Sequence, residues 1–348
     1  MRSPSVESGE PLGLPIDQEL SSIPFRRPRF TAIAAAVLAS AFALAGCTAK
    51  TQLPAGPTPH TTPTAAIASA TAACGATATT ATAPTYTHVV WIWMENKDLS
   101  AVIGQPAAPY ETALASSCGL ATNFHAITHP SPPNYLAATA GSTLGVADDL
   151  DPKSHQLSAD SIFGQVESAG LSWRAYEESM PKNCDLSSSG RYLARHNPAA
   201  YFTSVRSSCA TNDVPLEGNL QRDISASALP SFAFITPNRC DDGHSCSGTV
   251  AGQVGNGDTW LATWIPRLIA GPNYQAGNTL IVLTWDEDEG STTNLIPTIV
   301  IAPSVVPGTK SAIRLDQYSL LRTTEDLLHL PALGAAKTAT SMSSSFHL

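Results

Sequence analysis

Several things are missing from this sequence, and each absence removes a class of function. Lysine and arginine form no basic stripe and the chain carries a net charge of −9, so a nucleic-acid partner is disfavoured. No Cys-x-x-Cys pair occurs, which argues against a structural zinc site. No internal repeat is present, which argues against a solenoid. The one long apolar run, Phe30 to Gly46, is too small-residue-rich and too short for a confident membrane span.

What surrounds that run reads as a leader. Arg26-Arg-Pro-Arg29 supplies the basic n-region and the alanine-rich run the h-region of a secretory signal. It ends in Leu44-Ala-Gly-Cys47, which resembles a bacterial lipobox, so residues 1–46 are expected to be removed and Cys47 to carry lipid. The implied partner is a membrane, reached through that anchor, and the implied location is extracytoplasmic. From 47 to 85 the composition collapses to Ala, Thr and Pro. A stretch with so little bulky apolar surface is expected to be an extended tether. The first 46 residues are charge-balanced, so the mature chain keeps the whole −9. An anionic substrate must then be drawn in by a metal and not by the surface.

Beyond Cys47 the cysteines are six: Cys74, Cys118, Cys184, Cys209, Cys240 and Cys246. An even number behind a signal peptide predicts three disulfides, and of the fifteen pairings the sequence neighbours are expected: 74 with 118, 184 with 209, 240 with 246.

The rest, residues 86–348, alternates strand-like and helix-like segments. Strands are expected at His88 to Met94, Ala121 to Thr128, Ser172 to Tyr176, Ser231 to Thr236, Thr279 to Trp285 and Ile296 to Ala302; helices at Ser158 to Ala169 and Trp260 to Ile269. This predicts one α/β domain with a mostly parallel sheet between helices. Two of the strands end in oxygen ligands. The run Leu280-Ile-Val-Leu-Thr-Trp-Asp-Glu-Asp-Glu-Gly290 delivers Asp286 and Glu287, and His88-Val-Val-Trp-Ile-Trp-Met-Glu-Asn96 delivers Glu95 and Asn96, to a sheet's carboxyl edge. Carboxylates packed so closely repel unless a cation, solvent or protonation relieves them, and hard oxygen ligands suit a divalent metal.

Ala126-Ile-Thr-His-Pro-Ser-Pro-Pro-Asn-Tyr135 is a second constellation. Ser131 before two prolines reads as an N-cap opening a helix that stops at Gly141, with its hydroxyl at the positive end of the helix dipole. Such a position favours a bound phosphate and an incipient alkoxide. A third constellation is histidine-based. His196 lies in Ala194-Arg-His-Asn-Pro198, and His244 in the loop Cys240-Asp-Asp-Gly-His-Ser-Cys246, which a short disulfide would hold at a strand's carboxyl end. Asp258 reads as a helix cap.

Taken together, Met94-Glu95-Asn96, His129-Pro-Ser-Pro-Pro-Asn-Tyr135, Arg195-His-Asn-Pro198, Thr236-Pro-Asn-Arg-Cys-Asp-Asp-Gly-His244, Gly257-Asp-Thr-Trp260 and Thr284-Trp-Asp-Glu287 resemble the phosphoesterase family of bacterial acid phosphatases and phospholipases C, within the alkaline-phosphatase-like superfamily. The resemblance implies hydrolysis of phosphate esters by a serine or threonine nucleophile beside a metal. Ser131 falls where that nucleophile stands, with Thr128 as the alternative. His129, Asn134, His196 and His244 are then expected around the phosphoryl group, and Glu95, Asn96, Asp286 and Glu287 on the metal. Many two-zinc relatives have Asp-His in the late strand and a histidine just before a Val-Pro. Here those places hold Asp286-Glu287 and Leu295-Ile-Pro297, so one divalent ion of undetermined identity in an oxygen-rich site is expected. The first expectation is a monoesterase. Its rivals are a phospholipase C-type phosphodiesterase and a non-catalytic surface lipoprotein that binds a phosphorylated ligand.

Overall fold

The strand His88–Met94 (β1) sits at the middle of the sheet, and its sequence, HVVWIWM, explains why: β-branched and aromatic side chains fill both faces, and all but the first residue are buried. The structure is a computed structural model that describes residues 63–76 and 84–348. The leader, the lipobox and Cys47 lie outside the described residues.

On one side β1 pairs in parallel with Phe232–Thr236 (β6), followed by Trp173–Glu177 (β4) and Asp213–Pro215 (β5), all parallel. On the other side it pairs in parallel with Thr279–Trp285 (β7). Then come the antiparallel Thr298–Ile301 (β8), Gly119–Ala121 (β2) and Lys310–Ser311 (β9). The eight-stranded order is β5-β4-β6-β1-β7-β8-β2-β9, with β8 running against the other seven. A small two-stranded sheet pairs Phe124–His125 (β3) with Leu315–Asp316 (β10). This is the mostly parallel α/β architecture expected from the alternating segments.

Three local expectations need correction. The strand expected over Ala121 to Thr128 is broken: β2 ends at Ala121, a turn leads to β3, and residues 126–130 join no sheet. Their amides are satisfied elsewhere, Ala126 N by Asn294 O, and Ile127 N and Thr128 N by Asn134 Oδ1 at 3.0 Å each. The helix expected from Trp260 is longer, Val250–Ala270, so Asp258 lies inside it. Asp258 is nevertheless a cap, of a different helix: its Oδ1 accepts from Tyr110 N and Glu111 N (2.8 and 2.9 Å) at the start of Pro109–Ser117.

The third correction concerns the tether. Its described part is folded, as a helix Pro63–Thr71 that packs on Pro109–Ser117 and Val250–Ala270. Alanine explains this, because it has the highest helix propensity and leaves a flat face that neighbouring helices approach closely. Ala66, Ala70 and Ala73 are buried there. Tyr274 donates to Ala73 O (2.5 Å), and Cys74 is bonded to Cys118. Cys184 is bonded to Cys209 and Cys240 to Cys246. Three such bridges belong to an oxidising, extracytoplasmic compartment.

Several carboxyls other than those at the ends of β1 and β7 are perturbed chiefly by burial. Glu178, Asp213 and Glu325 are pushed up to about 7 and Asp258 to about 6. An unfolded chain titrates these groups near pH 4. Between about pH 4 and about 7 the folded chain therefore binds more protons, and stability is lost as pH rises through that window. The thermal midpoint is expected to fall by at least a few degrees between about pH 5 and about pH 8. Melts at matched ionic strength check this, and a midpoint that rises with pH refutes it.

Candidate active site

Met94 faces Trp285 across the parallel ladder of β1 and β7, so the residues that follow leave the sheet together. Asp286 N donates to Met94 O (3.0 Å) and Asn96 N donates to Asp286 Oδ1 (2.9 Å). Register thus brings Glu95, Asn96, Asp286 and Glu287 to one place at the sheet's carboxyl edge, where open α/β folds carry their sites. Glu95 and Asp286 are fully buried and Glu287 nearly so.

Such burial is costly for carboxylates. Desolvation first, then the charges of Asp286 and Asp242, hold the Glu95 carboxyl well above its usual range. Burial and Asp286 push Glu287 up to about 9, and burial raises Asp286 itself. These groups cannot all ionise at neutral pH without a cation. Asp286 Oδ2 is buried with no hydrogen-bond partner. Among the described residues the group of three potential ligands whose atoms lie within 4.8 Å of one another is Cys184, Cys209 and Asp213, and there the two sulfurs are joined in a disulfide and are not available to a metal.

Ser131 stands directly over the acids. Its Oγ donates toward Glu95 Oε2 at 3.4 Å and Glu287 Oε1 at 3.3 Å. It was expected to be the N-cap of its helix; the cap is Pro130, and Ser131 is the first residue of Ser131–Ala140. The sequence accounts for part of the difference. A capping serine accepts from the second or third helical N–H; with Ser131 as the cap, the second position would be Pro133, which has none. The hydroxyl is turned instead to the carboxylates. Pro132 and Pro133 remove two amides from the helix N-terminus, which weakens it as a purely backbone anion site. The helix ends where expected, at Gly141, whose φ of 69° and close approach to Leu333 O leave no space for a side chain.

The other expected residues divide into those turned to the acids and those that build the walls. His196 is buried, with Nδ1 3.2 Å from Glu95 Oε1 and Nε2 without a partner. Burial, Arg195 and His244 hold its pKa well below the usual imidazole range, so the ring is neutral. His244 is half-buried, its pKa lowered by burial and by Lys97 and Arg195. His129 has both ring nitrogens engaged, Nδ1 with Glu287 Oε2 (2.8 Å) and Nε2 with Ser291 O (3.2 Å). It supports Glu287 and is not a free acid.

Asn134 is likewise occupied. Its Oδ1 holds two amides of the 126–130 strap, and its Nδ2 donates to Thr128 O (2.8 Å) and toward Glu287 Oε2 (3.4 Å). It shapes the strap instead of facing a phosphoryl group. Thr128 Oγ1 donates to His129 O (3.1 Å).

Three participants carry no role in the sequence reading. Tyr135 donates a short hydrogen bond to Glu95 Oε1 and stacks on His196 (5.5 Å, 7°). Its spacing of four from Ser131, one helical turn, places both on one face and was the available signal. Lys97 is buried and bonded to Asn96 O (2.7 Å) and Glu289 Oε1 (3.4 Å). Asp242, two residues before His244, is buried, and its carboxyl is pushed up to about 7, chiefly by burial.

The comparisons with known proteins agree with this geometry. The Phosphoesterase family profile matches residues 93–331, from β1 to beyond the last strand. A phosphatidylinositol-3-phosphatase of Mycobacterium tuberculosis is 33% identical over 256 residues, covering 73% of this chain and 81% of that protein. An acid phosphatase of Aspergillus fumigatus is 30% identical over 258 residues, covering 70% of this chain and 55% of the fungal protein. The chain thus spans little more than half the length of that relative. An alkaline phosphatase superfamily protein from Vibrio parahaemolyticus superposes with a TM-score of 0.50 at 10% identity, over 80% of this chain and 79% of that one. A putative sulfatase from Bacteroides thetaiotaomicron gives 0.51 at 12%, over 76% and 75%. At such identities these two show the fold alone. With the profile covering most of the chain and a relative one-third identical along most of both lengths, the chain belongs to the phosphoesterase family and is a hydrolase acting on phosphate esters.

Proposed function

We propose that the chain is a metal-dependent phosphomonoesterase of the acid phosphatase type, which works through a phosphoseryl intermediate on Ser131 and is held at the cell surface by lipid on Cys47. The position of Ser131 Oγ carries this reading: it lies between Glu95 Oε2 and Glu287 Oε1, at the start of a helix, where no amide competes for it. The names of the relatives, acid phosphatase and phosphatidylinositol-3-phosphatase, support a monoester substrate.

The residues present fit a divalent cation, because Asp286 Oδ2 is buried without a partner amid carboxyls held protonated by their crowding. Glu95, Asn96, Asp286 and Glu287 would hold it. When bound, such an ion supplies Lewis acidity that lowers the cost of a serine alkoxide and of charge on phosphoryl oxygens. With a cation relieving the crowding, Glu287 would be ionised, and Ser131 Oγ would pass its proton toward Glu287 Oε1 and attack phosphorus in line, so that the new bond forms opposite the leaving oxygen. His196, neutral and with Nε2 free, hydrogen-bonds a phosphoryl oxygen, while Tyr135 and Glu95 fix its ring. His244, more exposed, gives its proton to the departing alkoxide. Water, giving a proton to His244, then attacks phosphorus; the P–Oγ bond breaks, Ser131 takes back its proton from Glu287, and phosphate leaves.

Turnover of p-nitrophenyl phosphate, bis(p-nitrophenyl) phosphate and phosphatidylcholine, with magnesium, manganese or calcium restored, tests the reading. The monoester is expected to be the fastest of the three. Faster cleavage of either diester would assign a phospholipase C-type phosphodiesterase, and no turnover of any would assign the binding protein. Mass spectrometry of the membrane fraction tests the anchor, and an unmodified mature N-terminus elsewhere than Cys47 removes it.

A further inference from the structure

The carboxylate oxygens at the ends of β1 and β7 are not equally free. Glu95 Oε1 meets Tyr135 and His196, and its Oε2 accepts from Asn96 Nδ2 (2.8 Å) and Ser131. Both oxygens of Glu287 are met by His129, Asn134 and Ser131. Asp286 Oδ1 accepts from Asn96 N, which leaves Asp286 Oδ2 unpartnered. Near them, one oxygen outside the expected ligand set shares that condition. Asp242 is 1% exposed; its Oδ1 accepts from His244 N (2.9 Å), and its Oδ2 is buried without a partner.

Asp242 is tied to the same place by its backbone, because Glu95 N donates to Asp242 O (2.9 Å) and the Cys240–Cys246 bridge closes the loop around it. It lies close enough to Asp286 and Glu95 for their like charges to act on one another. Lys97, the nearby buried cation, is bonded to Asn96 O and Glu289 and not to Asp242. Buried carboxylate oxygens that no donor satisfies are costly in a folded protein, and a shared cation would relieve both at once.

We infer that Asp242 is a ligand of the divalent cation, supplied by the disulfide-closed loop beside Glu95. The inference rests on the metal-dependent reading above and changes its ligand set. Asp242 and Asp286 offer the ion unengaged oxygens, while Glu95 and Glu287 divide theirs between the ion and the groups that orient Ser131 and His196. An all-oxygen set with several carboxylates takes a hard ion such as magnesium, manganese or calcium.

Equilibrium dialysis with elemental analysis, beside thermal melting, tests this on the full chain with each of those three ions alone. Asp242→Asn keeps the acceptor for His244 N and removes the charge. It is expected to weaken metal binding at least about tenfold, while the metal-free variant melts at or above the metal-free wild type, because one member of a repelling cluster is gone. Asp241→Asn, a neighbour whose Oδ2 accepts from Asn238 Nδ2 (2.8 Å), is expected to change neither reading. Asp242→Ser, smaller and still an acceptor, repeats the measurement should Asp242→Asn not fold. Wild-type metal affinity in the folded variant overturns the assignment of Asp242 alone. A wild type that takes up none of the three ions overturns the metal-dependent reading and this assignment with it.

Discussion

Ser131→Ala is expected to lower kcat by roughly three orders of magnitude or more while metal content stays near that of the wild type. The two readouts would separate because in the proposed mechanism Ser131 is the nucleophile and supplies none of the carboxylates. The substitution is also gentle on the fold. Ser131 makes no cap bond, the helix is started by Pro130, Pro132 and Pro133, and alanine suits a first helical turn. Glu95 Oε2 and Glu287 Oε1 each lose one long hydrogen bond, of 3.4 and 3.3 Å, while Glu95 Oε2 keeps Asn96 Nδ2 and Glu287 keeps the bonds to its other oxygen. Steady-state rates with p-nitrophenyl phosphate and elemental analysis of the same preparations check the split. Near-normal turnover would transfer the nucleophile's role to Thr128 or to water, and Thr128→Ala would then distinguish those two.

Asp286→Ala is expected to abolish metal content and turnover together. Asp286 carries one of the two unpartnered buried carboxylate oxygens near the site and follows directly on the end of the central ladder, so its loss removes charge that no neighbour replaces. Two effects on stability oppose each other. Asn96 N loses its acceptor, which costs about 0.5–1.5 kcal/mol for a partly buried amide. Glu95 and Glu287 lose a like charge that raises both their pKa values, which offsets part of that cost in the metal-free protein. Far-UV circular dichroism is therefore expected to match the wild type while added metal no longer raises the melting temperature. Retention of bound metal by Asp286→Ala would leave the acidic end of β7 as a turn and remove the metal from the proposed mechanism.

Much of this site is local information. The apolar runs that become β1 and β7 end in Glu95-Asn96 and Asp286-Glu287, and a strand that must be buried on both faces cannot continue through charged residues. The chain itself therefore marks where the sheet stops and which side chains stand at its edge. The helix from Ser131 to Gly141 is written just as locally, by two prolines at its start and a glycine at its end. Short sequence separation also favoured the pairs 184–209 and 240–246.

What only the tertiary structure decided are the relations between residues far apart in the chain. The alignment of Met94 with Trp285 follows from how β1 and β7 pack between neighbours, and without it the two acidic ends would not meet. Whether Ser131 capped its own helix or faced the acids depended on carboxylates arriving from β1 and β7. Asp258 matched a cap by its residue type, but its helix lies almost 150 positions earlier in the chain, beyond any local pattern. The alanine-rich segment at Pro63–Thr71 reads as tether because its own apolar surface is small; the helices Pro109–Ser117 and Val250–Ala270 supply the rest of the buried face. Asp242 is the clearest case. Nothing in Cys240-Asp-Asp-Gly-His-Ser-Cys246 separates it from Asp241, and the difference arises only when the folded loop buries one carboxylate beside Glu95 and Asp286 and leaves the other bonded to Asn238 near solvent. Periodicity and capping are encoded over a few residues, but an oxygen left without a partner is a property of every element packed around it.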